Sequence, residues 1–233
     1  MQQFFIESLD DPRLSKEQIH QCQKVLRMKP GDRVRLVDKQ EQGQVVEFKD
    51  DTYQNFEVIE TLQFPKKKIN KVLIASLIRS ERLEWLIQKA CELGVDAIYL
   101  YKSDHGVVRD FGQRTDRKLQ RFNEIAKEAS EQSYREKAVP VIGILDKDTI
   151  TQAMQKANFI LDIGKHPNLY DDLTKEMESV SVLIGPEGGF SDDERHHFCA
   201  MGFESKSLLP TILRAETAGL TAVTYLSLFE VIE

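Results

Sequence analysis

Two short stretches in the last fifty residues hold residue types that can bind a small molecule and act on it. The first is the loop 185–189, in which Gly185, Gly188 and Gly189 stand beside Pro186 and Glu187, directly after the apolar run 181–184. Glycine has no Cβ, so the backbone of such a loop can approach a ligand closely and can adopt positive φ. We therefore expect this loop to form the floor of a ligand site.

The second stretch, residues 208–218, places Arg214 and Glu216 at the start of a predicted apolar helix over residues 218–229. A charged pair held at a helix start can orient a substrate and move a proton. Glu187 is another carboxylate within reach, and the sequence does not rank the two. The plain structural alternative is a carboxylate that stabilises a helix start and a solvated arginine.

The glycine loop lies between a predicted strand and a predicted helix. Ser191 and Glu194 have the spacing of a capping box, which predicts a helix that begins just after the loop. In open α/β sheets ligands bind at such strand ends. The loop has neither the dinucleotide spacing nor the Gly-Lys-Ser/Thr of a phosphate loop. A turn that binds nothing and an enzyme that takes a phosphorylated ligand both stay open at this point.

Two different patterns of elements precede and surround these stretches. Residues 1–63 read as short strands (3–6, 33–37, 43–48 and 55–62) with one helix (16–28), which predicts a small β-barrel. From residue 71 short apolar runs alternate with amphipathic stretches, which is typical of an α/β domain with a mostly parallel sheet. Its predicted strands are 72–78, 97–101, 139–145, 159–163 and 180–184, and its predicted helices are 83–93, ended by Gly94, and 117–133.

The proline and the lysine run within residues 64–70 mark the best boundary, so we predict domains 1–68 and 69–233. No apolar run approaches the length of a membrane helix, and a signal-peptide pattern is absent, so we expect a cytoplasmic protein. Three distant cysteines argue against a disulfide framework. His196 and Cys199 share a helix face, but two ligands do not make a zinc site, and we expect no metal.

The formal charge of −6 excludes a protein that attracts nucleic acid over its whole surface. Any RNA contact must therefore be local. The basic clusters that could provide one lie in three parts of the chain: Lys24, Arg27, Lys29, Arg33 and Arg35; residues 66–68; and Arg109, Arg114, Arg117, Lys118 and Arg121. A solvated surface is the ordinary alternative for each.

The residues 185–191 and 212–218 resemble the signature of the RsmE family, the uridine N3-methyltransferases of 16S ribosomal RNA in the SPOUT (trefoil-knot) class. The resemblance extends to residues 25–32, 82–95 and 125–133, in the order and rough spacing of the family. It implies a PUA-like barrel that binds RNA at the N-terminus, a knotted α/β domain at the C-terminus and a homodimer. It also implies the small ribosomal subunit as partner and S-adenosylmethionine as methyl donor.

Residue by residue, the resemblance implies a cofactor site made by two loops and a preceding strand end. The residues are Leu161, Gly164, Ile184, Gly185, Pro186, Glu187, Gly188, Gly189, Leu208, Leu209, Ile212 and Leu213. Uracil N3 carries a proton that must leave, so we expect Arg214 to orient the base and stabilise charge, with Glu216 as base or as the group that fixes Arg214. The expected RNA contacts are Arg27, Lys29, Arg79, Arg82 and Arg135.

Some positions depart from the family pattern. Leu209, Thr211 and Ala215 stand where the family usually has Gly, Arg and Thr, and Tyr134 precedes Arg135 where a Gly-Arg pair is usual. Gln3 replaces an often basic residue. A methyltransferase for another RNA position and a knotted protein that binds RNA without modifying it are therefore kept as alternatives.

Overall fold

The computed structural model describes residues 1–65, 69–174 and 176–229, which fall into two compact units. The first unit combines Met1–Pro65 with Ser130–Ala138, and the second contains the other described residues. The first unit is thus built from two segments, whereas the sequence-based division assumed one. The basic run 66–68, an expected RNA contact and part of the expected boundary, lies outside the described residues.

The first unit contains a four-stranded sheet in the order β1-β2-β3-β4. β1 (Gln2–Phe5) runs parallel to β2 (Arg33–Val37), and β3 (Gly43–Phe48) and β4 (Phe56–Leu62) continue the sheet with antiparallel pairing. Among the described residues no ladder joins β1 to β4. This sheet is open, and the predicted closed barrel is not confirmed.

A short helix covers the core of the first unit. α1 (Lys16–His20) begins with a capping box between Ser15 and Gln18, and a π-helical turn, Gln21–Val25, follows it. The predicted helix to residue 28 is therefore too long, because Arg27 adopts a positive φ of 53°. Cys22 is buried in the core, and this burial raises the pKa of its thiol to about 11.

The second unit is built on a six-stranded sheet in the order β10-β8-β9-β5-β6-β7. Every ladder in it is parallel, so the predicted α/β domain with a parallel sheet is confirmed. The strands are β5 (Asn70–Ser76), β6 (Ala97–Tyr101), β7 (Val141–Leu145), β8 (Ala157–Leu161), β9 (Ser179–Ile184) and β10 (Glu204–Lys206). Apolar side chains cover both faces: Leu73 and Ala75 join one core cluster, Val72 and Ile74 another.

Five helices accompany this sheet in the described chain: α2 (Ser80–Glu92), α3 (Thr115–Gln132), α4 (Leu169–Asp172), α5 (Asp192–Ala200) and α6 (Ala215–Leu228). Two short 3-10 turns cover Gly112–Arg114 and Ile150–Ala153. Gly94 has a φ of 101°, as expected for the residue that ends α2. The predicted capping box of Ser191 and Glu194 is confirmed. None of the described helices has the length and apolar character needed to cross a membrane.

The strand order explains where a ligand can bind. From β5 the chain proceeds to β6 and β7 on one side, whereas β9, β8 and β10 lie on the other. The carboxyl ends of β8, β9 and β10 therefore meet at one edge of the sheet, and the connections that leave them lie together. These connections contain the glycine loop and the segment after Lys206.

Candidate functional site

A cavity of about 180 Å³ lies at this edge, and we call it the loop cavity. It is formed by the connections that leave β8, β9 and β10 and by the start of α6. Its lining residues are Leu161, Asp162, Ile163, Gly164, Ile184, Gly185, Pro186, Glu187, Gly189, Lys206, Ser207, Leu208, Leu209, Pro210, Thr211, Ile212, Leu213, Ala215 and Ala218.

The glycine loop has its shape because of two glycines. A Cβ on Gly185 would lie 2.9 Å from the Phe190 ring, so a side chain there would displace a fully buried aromatic residue. Gly189 adopts a φ of 68°, and its N–H donates to the carbonyl of Pro186 over 2.9 Å. The loop thus closes as a tight turn between β9 and α5.

The structure gathers eleven of the twelve expected cofactor residues around the loop cavity. Gly188 is the exception, because it faces the backbone of His105, whose carbonyl oxygen would lie 3.2 Å from an added Cβ. Asp162 lies within the strand end 161–164 that the resemblance implied, whereas sequence reasoning missed Lys206 and Ala218, among others. Lys206 ends β10 and Ser207 follows it, and this strand of three residues is too short to give a recognisable apolar pattern.

The charged groups in the lining are already paired. Asp162 accepts a hydrogen bond of 2.6 Å from Nε of Arg195, which raises the pKa of that guanidinium. Lys206 is buried, and its Nζ lies 2.6 Å from Asp172 and 2.9 Å from Glu204. Among the described lining residues no cation is left to bind a phosphate. Aliphatic side chains and main-chain groups form most of the remaining surface.

A second, more open cavity of about 660 Å³ lies beside helices α2 and α6, and we call it the α2–α6 cleft. It shares Ile212 and Leu213 with the loop cavity, so one short segment lines both spaces. The complete lining is Glu81, Arg82, Trp85, Ile212, Leu213, Arg214, Glu216 and Thr217.

Close packing fixes the two helices that line the cleft. A Cβ on Gly219 would lie 2.9 Å from Cδ1 of Leu86, so glycine at this position allows α6 to approach α2. Leu86 is the neighbour of Trp85, and Gly219 stands one turn after Glu216. The contact therefore sets the distance between the residues that face the cleft.

Arg82 connects the glycine loop to the start of α6. Its Nη1 lies 3.0 Å from Oε1 of Glu187, and its Nε lies 3.8 Å from Oε1 of Glu216. Glu216 is 7% exposed, and its Oε2 is buried without a hydrogen-bond partner in the described part of the chain. A buried acceptor left in this state costs about 1–3 kcal/mol, so it is the kind of group that a ligand would satisfy.

Arg214, by contrast, is a cation without a partner among the described residues. It is the N-cap residue of α6 and is exposed, and it forms no ion pair or side-chain hydrogen bond with the described residues. α6 begins at Ala215, three residues before its predicted start, so Glu216 lies in its first turn. A free guanidinium and a buried carboxylate therefore line the same cleft.

The five cations expected to contact RNA divide between the two units. Arg27 and Lys29 are exposed residues of the first unit, and Arg79 and Arg82 belong to α2 or its N-cap in the second. Arg135 belongs to the first unit and is only 7% exposed, so its guanidinium has little surface for RNA. Its carbonyl accepts a hydrogen bond of 2.7 Å from the Gln3 amide, which helps to hold it there.

Several of the other basic residues are paired with neighbours. Arg33 lies 3.2 Å from Glu47, and Lys118 and Arg121 both approach Glu84. Such pairing is typical of a solvated surface. In the part of the chain that the structure describes, no group of three or more histidine, cysteine or acidic residues is arranged to hold a metal ion.

The sequence of the chain is similar to those of known RNA methyltransferases. Residues 65–227 match the family model of the RNA methyltransferase domain. The chain is 29% identical to ribosomal RNA small subunit methyltransferase E of Bacillus subtilis, covering 97% of this chain and 96% of that protein. It is 31% identical to the protein of the same name from Mesomycoplasma hyopneumoniae, covering 72% and 74% of the two chains.

Solved structures give the same relationship in three dimensions. A crystal structure of ribosomal RNA small subunit methyltransferase E from Neisseria gonorrhoeae, bound to S-adenosyl methionine, superposes with a TM-score of 0.86 at 26% identity. The superposition covers 99% of this chain and 98% of that one. A probable rRNA-methyltransferase from Porphyromonas gingivalis superposes with a TM-score of 0.81 at 25% identity, over 98% of each chain.

Proposed function

The chain belongs to the RNA methyltransferase family and, within it, to the family of ribosomal RNA small subunit methyltransferase E; from this premise we propose that it methylates N3 of one uridine in 16S ribosomal RNA. The methyl donor in this proposal is S-adenosylmethionine. One observation carries it: the loop cavity and the α2–α6 cleft share the wall formed by Ile212 and Leu213, and Arg214 and Glu216 follow that wall directly.

The loop cavity fits the proposed cofactor better than a phosphorylated ligand. Its one lysine is paired with two carboxylates, and Asp162 and Glu187 would repel a phosphate. An adenosine group needs apolar walls and main-chain hydrogen bonds, which Ile184, Leu208 and the glycine loop supply. S-adenosylmethionine bound there would supply a methyl group on a sulfonium. A nucleophile would attack the methyl carbon in line with the S–CH₃ bond, which breaks to release S-adenosylhomocysteine.

The residues of the α2–α6 cleft would prepare the nucleophile. Uracil N3 becomes nucleophilic when it loses its proton, and the buried carboxylate of Glu216 has an oxygen free to accept it. The negative charge left on the ring spreads to the two carbonyl oxygens, where the guanidinium of Arg214 can stabilise it. Glu216 thus serves as the general base. Arg214 serves as the group that orients the uracil ring and stabilises its negative charge.

Glu187 is less suited to the role of base. It lines the loop cavity rather than the cleft, and its Oε1 is already 3.0 Å from the guanidinium of Arg82. That oxygen accepts a hydrogen bond from Arg82, and Glu187 is not among the residues that line the cleft where the uracil would bind. We therefore assign Glu187 to the support of Arg82 and the cofactor loop.

The finer features implied by the family complete the proposal. The first unit would act as a PUA-like RNA-binding module, with Arg27 and Lys29 as exposed contacts. The connections around the loop cavity would form a trefoil knot, and two copies of the chain would form a homodimer. With ribosomal RNA as substrate, we expect the protein to work in the cytoplasm.

The decisive experiment is mass spectrometry of 16S ribosomal RNA from a strain that lacks this gene. We expect 3-methyluridine to disappear and to return when the wild-type gene, but not the Arg214→Ala variant, is restored. Full retention of 3-methyluridine in the deletion strain would refute the proposed target. Loss of a different methylated nucleotide would instead favour action at another RNA position.

Calorimetry with S-adenosylmethionine separates the enzyme from a protein that only binds RNA. We expect saturable binding of one cofactor molecule per chain. A chain that binds RNA but no cofactor at millimolar concentration would be a binding protein. Competition by a nucleotide, without competition by S-adenosylhomocysteine, would indicate a phosphorylated ligand instead.

A further inference from the structure

We propose that the α2–α6 cleft is a uracil-binding subsite in which the indole of Trp85 stacks on the base and Glu216 recognises its N3–H. The inference rests on the proposed function and deepens it, because it assigns the recognition of the base to particular side chains. Neither the loop cavity nor the cofactor contributes to this subsite beyond the shared wall of Ile212 and Leu213.

Trp85 has an unusual position for a large apolar residue. It lies in the middle of α2, where Leu83, Leu86 and Ile87 are at most 1% exposed, yet Trp85 itself is 46% exposed and lines the cleft. Proteins bind unstacked RNA bases by stacking them on aromatic side chains, because every base has a π-face. An exposed indole beside a charged and partly apolar cleft provides that surface.

Glu216 supplies the hydrogen-bond partner that distinguishes uracil. Its side chain is about nine-tenths buried, and its Oε2 accepts no hydrogen bond from the described residues. Uracil presents an N–H at N3, which this oxygen can accept. Cytosine presents a lone pair at N3, which would face the carboxylate and be repelled. The same oxygen that takes the proton during the reaction therefore selects the base before it.

The two arginines of the cleft have different tasks in this arrangement. Arg82 is held between Glu187 and Glu216, so it acts as a positioning residue that fixes the carboxylate. Arg214 has no such partner in the described structure and remains available for the carbonyl oxygens or the phosphate of the bound nucleotide. A flat aromatic wall, a free acceptor and a free cation together fit a uridine in single-stranded RNA.

The first test is the rate of methyl transfer to small ribosomal subunits that lack the modification. We expect Trp85→Leu to lower kcat/KM by about 5- to 100-fold, the range of one lost base-stacking contact. Trp85→Phe keeps an aromatic face and should remain within about threefold of wild type. S-adenosylmethionine affinity should stay unchanged in both variants, because Trp85 does not line the loop cavity. Gln88→Ala, an exposed change one turn along α2, is the matched control and should have no effect.

Two results of this assay would overturn the inference: a Trp85→Leu enzyme with wild-type kinetics, or one that loses cofactor affinity in parallel with its rate. The second test is independent of turnover, because Trp85 is the only tryptophan of the chain. A short single-stranded RNA with one central uridine should quench its fluorescence more strongly than the same RNA with cytidine. If the wild-type protein transfers no methyl group, this quenching still decides the subsite: uridine-selective quenching supports it, and its absence refutes it.

Discussion

Glu194 and Glu216 are both buried carboxylates in the first turn of a helix, in α5 and α6 respectively. Glu194 is 0% exposed and accepts four hydrogen bonds. Oε1 accepts from the Tyr101 hydroxyl and the Asp104 N–H, and Oε2 accepts from the Ser103 hydroxyl and the Ser191 N–H, over 2.8–3.3 Å. These donors join α5 to the end of β6, so Glu194 is part of the structure that supports the glycine loop.

Glu216 is similarly buried, but among the described residues it lacks the hydrogen-bond donors that surround Glu194. Its only ionic partner in the described chain is Arg82, at 3.8 Å, and its Oε2 has no donor. Because both glutamates stand at helix starts, the positive end of the helix dipole does not explain the difference. The two carboxylates differ in whether the protein itself supplies the donors, and we propose that this difference makes Glu216 the reactive one.

The largest effect should come from Glu216→Gln, which leaves the shape of the α2–α6 cleft unchanged. Loss of a general base lowers the rate by about 100- to 10,000-fold, and we expect kcat of the variant to decrease by a factor in this range. The free energy of unfolding should change by less than about 1 kcal/mol, because no strong hydrogen bond is lost. Methyl-transfer assays and urea denaturation measure the two quantities. If Glu216→Gln lost as much stability as a Glu194 variant, Glu216 would be a structural carboxylate like Glu194.

The next effect should be the destabilisation caused by Glu194→Gln. An amide turned either way places its NH₂ against a backbone N–H, of Asp104 or of Ser191, and neither of these donors can turn away. We expect the free energy of unfolding to fall by about 2–4 kcal/mol. Asp193→Asn, an exposed change on the same helix, is the control and should cost less than about 1 kcal/mol. If Glu194→Gln unfolds at the wild-type urea concentration, the four hydrogen bonds do not have the assigned role.

A smaller effect should follow from Arg82→Gln, and a double-mutant cycle can say how it arises. If Arg82 works by fixing Glu216, its loss should lower kcat/KM by about tenfold in the wild type and by less than about twofold in the Glu216→Gln background. Lys89→Gln, a basic residue farther along α2, should change neither. Equal losses in both backgrounds would mean that Arg82 contacts RNA directly, as predicted from the sequence.

Sequence patterns predicted the features that depend on local spacing. The helix α2 follows from apolar residues at helical intervals, and Gly94 and the capping box of Ser191 and Glu194 mark helix ends by their own conformations. The open sheet of the first unit and the burial of Arg135 depend on contacts between distant segments, which local patterns do not contain. β10 was missed because three residues carry too little periodicity.

The candidate site shows the same division. The glycine loop and the pair Arg214 and Glu216 stand out in the sequence, and family resemblance groups the residues of the loop cavity. The bridge from Arg82 to Glu187 joins residues 105 positions apart, so no spacing rule reveals it. The unpartnered oxygen of Glu216 is likewise a property of its surroundings. Our proposal of Glu216 rather than Glu187 as the base therefore rests on contacts that the sequence does not contain.

The smallest expected effect concerns Tyr101, whose hydroxyl donates to Glu194. Burial, and next the charge of Glu194, raise the pKa of Tyr101 far above its ordinary value of 10.0. The unfolded chain releases this proton near pH 10 and the folded chain does not, so the stabilisation is complete below pH 10 and is lost as the pH rises above it. Urea denaturation at pH 8 to 11 should show this decline, and absorbance titration should find at least one of the six tyrosines un-ionised in the folded protein. In Tyr101→Phe the component of the decline due to this group should vanish. If the free energy of unfolding of Tyr101→Phe declines as much as that of the wild type, the decline does not come from Tyr101. The Tyr101 hydroxyl would then not count among the groups that make Glu194 a structural carboxylate, in contrast to Glu216.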